Sequence, residues 1–148
     1  MIRSFIKLIF AASAFLLLAP GAPAQTKLDE FAYTNAEISM ARIDNFLAAL
    51  HNAPSSQGCI IIYGPRSPKK GEVIAHIQQM PIYFKFRRFD ASRITLVDGG
   101  YRDSNAVTVT LWIVAPDAPR PVPEDTLDNK QVKFQKGVFR RKSLYWCC

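Results

Sequence analysis

Five consecutive residues, Cys59-Ile60-Ile61-Ile62-Tyr63, set between Gly58 and Gly64, restrict the fold more than any other feature of the chain. Three adjacent isoleucines are stiff at χ1, and an apolar run without alternation has no side to offer to water. The segment therefore predicts a strand covered on both faces, which requires at least one layer of helix packed on its sheet. Flanking segments with helical period supply that layer. Thr34 and Glu37 read as a capping box, the hydroxyl accepting from the backbone near Glu37 and the carboxylate reaching back to the cap. Ile43, Phe46, Leu47 and Leu50 then recur at three- and four-residue spacing, with Arg42, Asp44 and Asn45 off that face. Asn52, Pro54, Ser55, Ser56 and Gly58 end the helix. After the strand, Val73, Ile74, Ile77, Met80, Tyr83 and Phe84 keep a second helical period. Pro81 interrupts it, and a proline inside a helix costs about 3 kcal/mol, so a kink or break is expected there.

The remaining strands are shorter signals. Leu28 to Tyr33 reads as a first strand, and Arg93 to Val97 as another, entered through Asp90-Ala91-Ser92 and left through Asp98-Gly99-Gly100. Val107, Val109, Leu111 and Ile113 alternate with Thr108, Thr110 and Trp112, the period of a half-buried strand. Pro116, Pro119, Pro121 and Pro123 predict an extended, stiff connector. Val132 to Phe139 reads as an edge strand, after which Tyr145 and Trp146 can pin the terminus to the core. The order is β-α-β-α-β-β, the pattern of a two-layer α/β sandwich with parallel pairing.

The start of the chain bears on where such a domain works. Arg3 and Lys7 precede an uncharged apolar run from Leu8 to Ala19, and Ala22-Pro23-Ala24 places small residues where a signal peptidase cuts. The run is shorter than the roughly 18 to 20 residues needed to span hydrocarbon. Residues 1–24 are thus expected to be a signal peptide and the protein to be periplasmic or secreted, without a stable membrane span. Residues 25–115 then form the α/β domain, 116–126 the connector and 127–148 a C-terminal extension. The net charge of +7 is unevenly placed: between Gln25 and Thr126 eleven Lys and Arg balance eleven Asp and Glu. From Leu127 onward six basic residues face Asp128 alone. Such a tail attracts acidic envelope polymers or head groups, or stands as a solvated basic strand.

Export would expose Cys59, Cys147 and Cys148 to oxidants. Three thiols cannot all pair within one chain, and adjacent cysteines form a strained bond, so Cys59 with Cys147 or Cys148 is the less strained disulfide. The thiol left over can link two chains, giving a second reading: an interaction protein joined to a partner, or to its own copy, through its terminal cysteines and basic tail. His51 and His76 are scattered and show no metal-ligand spacing. No nucleophile with a base, and no phosphate-loop or dinucleotide glycine pattern, stands at recognisable spacing. Basic residues are not interleaved with aromatics on the fold as a nucleic-acid reader needs. Neither catalysis, a cofactor, a metal nor nucleic acid is expected. Arg66, Lys69 and Lys70 cluster between the strand and the second helix, a place suited to an anion, and Arg102 lies across the sheet's end. With His76, which titrates near neutral pH when unperturbed, Arg66 and Arg102 are the ligand-binding candidates.

Several of these segments together resemble the OmpA-like periplasmic domain, by which many envelope proteins hold peptidoglycan. They are the first helix through Leu50, Ile60-Ile61-Ile62-Tyr63-Gly64, the second helix ending near Tyr83-Phe84, Phe89-Asp90-Ala91-Ser92-Arg93-Ile94, and Val97-Asp98-Gly99-Gly100-Tyr101 followed by Val107 to Val114. The resemblance covers about Leu28 to Ala115 and implies an OmpA-like α/β fold and association with peptidoglycan or another envelope polymer or protein. It is divergent. The family uses an aspartate after the central strand and an arginine on the second helix to clamp a stem peptide. Here the first segment reads Gly64-Pro65-Arg66-Ser67, and His76 falls where the arginine would stand. A neutral imidazole does not replace a bidentate guanidinium.

Overall fold

The computed structural model describes residues 24–140. The expected signal segment before Ala24, and Tyr145, Trp146, Cys147 and Cys148, lie outside them. Strand β1 (Gln25–Ala32) leads to helix α1 (Ala36–Asn52), β2 (Gln57–Gly64), a two-residue β3 (Lys69–Lys70) and helix α2 (Glu72–Phe86). A 3₁₀ turn at Ala91–Arg93 then enters β4 (Ile94–Tyr101), which is followed by β5 (Thr108–Val114) and, after a second such turn at Asn129–Gln131, by β6 (Gln135–Val138). Four strands form one sheet in the order β1-β5-β2-β4, and β3 pairs with β6 in a separate ribbon. The architecture is mixed α/β, a sheet with two helices, as the hydrophobic periodicities required.

The isoleucine run behaves as its composition demands. From Gly58 to Gly64 every residue of β2 is buried. Ile60 and Ile62 face the helices in a cluster with Met40, Ile43, Phe46, Leu50, Met80 and Phe84. Cys59, Ile61 and Tyr63 face the other way, into a smaller cluster with Val114, against which Trp112 and Ala118 pack. Ala118 belongs to the proline-rich connector, so the second sheet face is closed by chain without regular structure rather than by a second helical layer. The backbone amide of Glu124 donates to the Tyr63 hydroxyl at 3.3 Å, and that of Leu127 to the Tyr101 carbonyl at 2.7 Å. The extended, stiff connector expected from these prolines thus also covers this face, the prolines holding it extended at little entropic cost.

Pairing departs from the expected parallel pattern. Within the four-stranded sheet only β2 and β4 are parallel, joined by the α2 crossover; β5 lies antiparallel between β1 and β2. The physical reason is the full burial of β2, whose edges both need a partner, so the link from β4 to β5 crosses the end of β2 instead of closing a hairpin. The Arg102 amide donates to the Gly64 carbonyl at 2.9 Å and the Arg66 amide to the Ser104 carbonyl at 3.0 Å along that crossing. Inside the sheet β5 is not half-buried: Thr110, on its polar face, is 1 % exposed and accepts from Trp112 Nε1 at 3.1 Å.

Three local expectations are also corrected. The cap of α1 is Asn35, not Thr34; its Oδ1 accepts from the amides of Glu37 and Ile38 at 2.8 and 3.2 Å. Of the kink or break expected at Pro81, the break does not occur: helix α2 is continuous from Glu72 to Phe86. Pro81 is exposed, so the missing hydrogen bond falls on the outer side, while Met80, Tyr83 and Phe84 stay buried and hold the helix together. Finally, Asp98-Gly99-Gly100 does not leave the strand but continues it to Tyr101. A Cβ on Gly99 would stand 2.5 Å from the Tyr63 ring, and Gly100 takes φ +76° where the register with β2 slips. These glycines make a bulge under an aromatic ring, not a turn.

Candidate functional site

The basic loop and the basic tail, distant in sequence, meet in the structure. β6 pairs in parallel with β3, Lys69 opposite Gln135 and Lys70 opposite Val138. β6 is therefore not an edge strand of the main sheet; its partner is a two-residue strand in the loop before α2. The amide of Lys133 donates to the Arg66 carbonyl at 3.0 Å, that of Gln135 to the Pro68 carbonyl at 2.9 Å and that of Phe139 to the Lys70 carbonyl at 2.9 Å. The Gln135 side chain adds a hydrogen bond to the Ser67 carbonyl at 2.7 Å. Each backbone contact fastens a residue of the tail to the loop, so the sites of Lys133 and Lys136 are set beside those of Lys69 and Lys70.

All four lysines are exposed. So are Phe134, at 57 %, and Val138, at 67 %, an unusual degree for large apolar side chains. Phe134 meets the Tyr101 ring edge-on at 5.7 Å, which fixes its orientation without covering it. Lys70, Phe134, Gln135 and Gly137 line a cavity of about 330 Å³. Exposed lysines on the two strands, with Lys70 and an aromatic ring at an open cavity, can hold an acidic polymer whose carbohydrate or peptide portion covers the ring. Among the described residues no cluster of three or more His, Cys, Asp or Glu is placed to bind a metal ion.

The three ligand candidates read from the sequence take different positions. Arg66 lies at the margin of the ribbon, its Nε 2.8 Å from Asp103 Oδ1, with both side chains largely exposed. Arg102 is a bolt between elements: Nη1 contacts Glu30 Oε1 at 2.7 Å, Nε donates to the Glu124 carbonyl at 3.1 Å, and the guanidinium stacks 3.6 Å from the Tyr63 ring centroid. This ties β1, β2 and the connector together. The Glu30 carboxyl is held below its ordinary range, first by the Lys27 hydrogen bond and then by Arg102. His76 is 4 % exposed beneath α2, its ring 4.5 Å from that of Tyr33 and 5.7 Å from that of Phe139. Burial pushes its pKa down to about 4, so it is a neutral ring at physiological pH. The structure thus brings Arg66 and Arg102 to one end of the sheet, sets His76 inside the protein, and gathers the three around no common cavity.

Cys59 is a free thiol, 1 % exposed on the connector-covered face, and burial raises its pKa. Its expected partners Cys147 and Cys148 lie outside the described residues. Sequence reasoning recognised the charges of loop and tail and read Val132 to Phe139 as a strand, but did not mark Phe134, Gln135 and Gly137 as site residues. Their only local signal is the single aromatic Phe134 set between Lys133 and Lys136. No family model matches the chain, and no curated protein or solved structure shows significant similarity to it.

Proposed function

We propose that this chain is a non-catalytic, exported domain of the cell envelope that associates, in the periplasm or outside the cell, with an acidic cell-wall polymer, peptidoglycan foremost. The observation carrying this reading is the pairing of Lys69–Lys70 with Gln135–Val138, which places the basic tail beside the basic loop and leaves Phe134 exposed at the start of the paired tail segment. A stem-peptide carboxylate meets ammonium groups there, and an apolar ring is available to the C–H faces of a glycan. The element order β-α-β-α-β-β, with the two short ribbon strands set aside, is compatible with the OmpA-like resemblance and supports the same reading. The ligand position differs from that family's: His76 is enclosed, and the attraction comes from the ribbon.

Co-sedimentation of the full chain with purified peptidoglycan sacculi tests the proposal. Lys133→Gln/Lys136→Gln and Phe134→Ser alter exposed side chains and are expected to fold. Each should release the protein, the lysine pair most clearly at low salt. Raising ionic strength from 0.1 to 1 M, which shortens the Debye length from about 10 to about 3 Å, should do the same to the unaltered chain. Retention insensitive to both the substitutions and salt would refute the assignment.

A further inference from the structure

Helix α2 carries a second surface that neither the core nor the ribbon uses. Val73, His76, Met80, Tyr83 and Phe84 turn inward, whereas Ile74, Ile82 and Phe86 are 49, 64 and 63 % exposed. At 1.5 Å rise per residue the helix is about 22 Å long, and these side chains mark its outer side from the first turn to the last. From Val73 to Phe89 the sequence contains no acidic residue. At its start stand Glu72 and the ribbon's own exposed Lys69 and Lys70, and exposed Lys85, Arg87 and Arg88 close it. Arg87 is paired with Asp44 at 2.8 Å, which keeps one cation beside the helix end, while Lys85 and Arg88, close to Phe86 in the chain, are exposed.

Charge decides what can cover this face. A second copy of the chain is disfavoured, because both ends of α2 carry an excess of positive charge, Lys69 and Lys70 against Glu72 at one end and Lys85, Arg87 and Arg88 at the other, so that parallel or antiparallel self-pairing would set like net charges together. An anionic bilayer meets both demands at once, its phosphates taking the cations and its acyl boundary taking Ile82 and Phe86. No described helix is long and apolar enough to cross a membrane, so the fitting geometry is that of a helix lying in the interface plane. We propose that the outer face of α2 is a peripheral docking surface for anionic phospholipid, through which the domain rests on a membrane while the β3–β6 ribbon remains available on its own side of α2's N-terminus.

The test is flotation of the full chain, recovered from expressing cells with its N-terminus defined by intact mass, on vesicles of phosphatidylglycerol and phosphatidylethanolamine or of phosphatidylcholine alone. Partition should favour the anionic vesicles. Lys85→Gln/Arg88→Gln should lower it about 25-fold, from about fivefold per removed charge. Ile82→Ser/Phe86→Ser should lower it roughly tenfold or more. Lys133→Gln/Lys136→Gln should leave it within about twofold, which separates this surface from the sacculus-binding ribbon. The proposal is overturned by equal partition onto neutral vesicles, or by retained binding in either α2 variant with an unchanged thermal melt. It also falls if light scattering shows a dimer that Ile82→Ser/Phe86→Ser dissolves, or if the ribbon variant is the one that abolishes flotation.

Discussion

Burial of His76 makes the stability of the fold sensitive to acid, and the size of the effect follows from the structure. In the unfolded chain the imidazole titrates near 6.5, whereas in the folded protein burial lowers its pKa to about 4. Above pH 6.5 both states hold a neutral ring and the residue imposes no proton-linked cost. Between 6.5 and 4 the unfolded state binds a proton that the folded state refuses, so stability falls with falling pH by about 1.4 kcal/mol per unit. Over the whole window the loss is about 3 kcal/mol, a large fraction of the 5–15 kcal/mol typical of such domains. Among the rings facing His76, Phe139 does not ionise and the Tyr33 hydroxyl is pushed up to about 12, so neither titrates in this range. Urea denaturation at pH 7, 6, 5 and 4 of the unaltered chain and of His76→Leu isolates the effect. Acid-sensitive carboxylates such as Glu30 act in both proteins and cancel in the difference. The stability gap should move by about 3 kcal/mol in favour of His76→Leu as pH drops from 7 to 4. Parallel pH profiles would show that the ring is not buried against Tyr33 and Phe139 as described.

Other consequences concern the ends of the elements. Arg93 Nη2 contacts the carbonyls of Leu50, Ala53 and Ser56, each at 2.9 Å, and so closes the C-terminus of α1. Arg93→Met should cost about 2 to 3 kcal/mol in urea denaturation, as expected for hydrogen bonds to a charged donor, and a change below about 0.5 kcal/mol would contradict that role. Because Asn35 rather than Thr34 caps α1, Asn35→Ala should destabilise by about 1 kcal/mol and Thr34→Ala by clearly less; the reverse order in thermal melts would restore the capping-box reading.

What the sequence alone determined is the set of elements and their inward faces. Ile60 to Ile62 demanded a doubly covered strand, and Ile43, Phe46, Leu47 and Leu50 demanded a helix face, because period and β-branching act on the nearest few residues and are written there. Even then a cap moved by one residue and a glycine pair taken for a turn proved to be a bulge, since only the Tyr63 ring lying over Gly99 distinguishes the two. Tertiary structure alone decided the insertion of β5 between β1 and β2, the folding of the proline connector over Cys59, Ile61 and Tyr63, and the contact of Arg102 with Glu30 across 72 positions of chain. It also joined the loop at Lys69–Lys70 to the tail at Gln135–Val138, on which the proposed binding surface depends. Such pairings are set by which distant surfaces best bury apolar area and satisfy exposed backbone groups, a competition among whole arrangements of the chain that no local pattern of residues records.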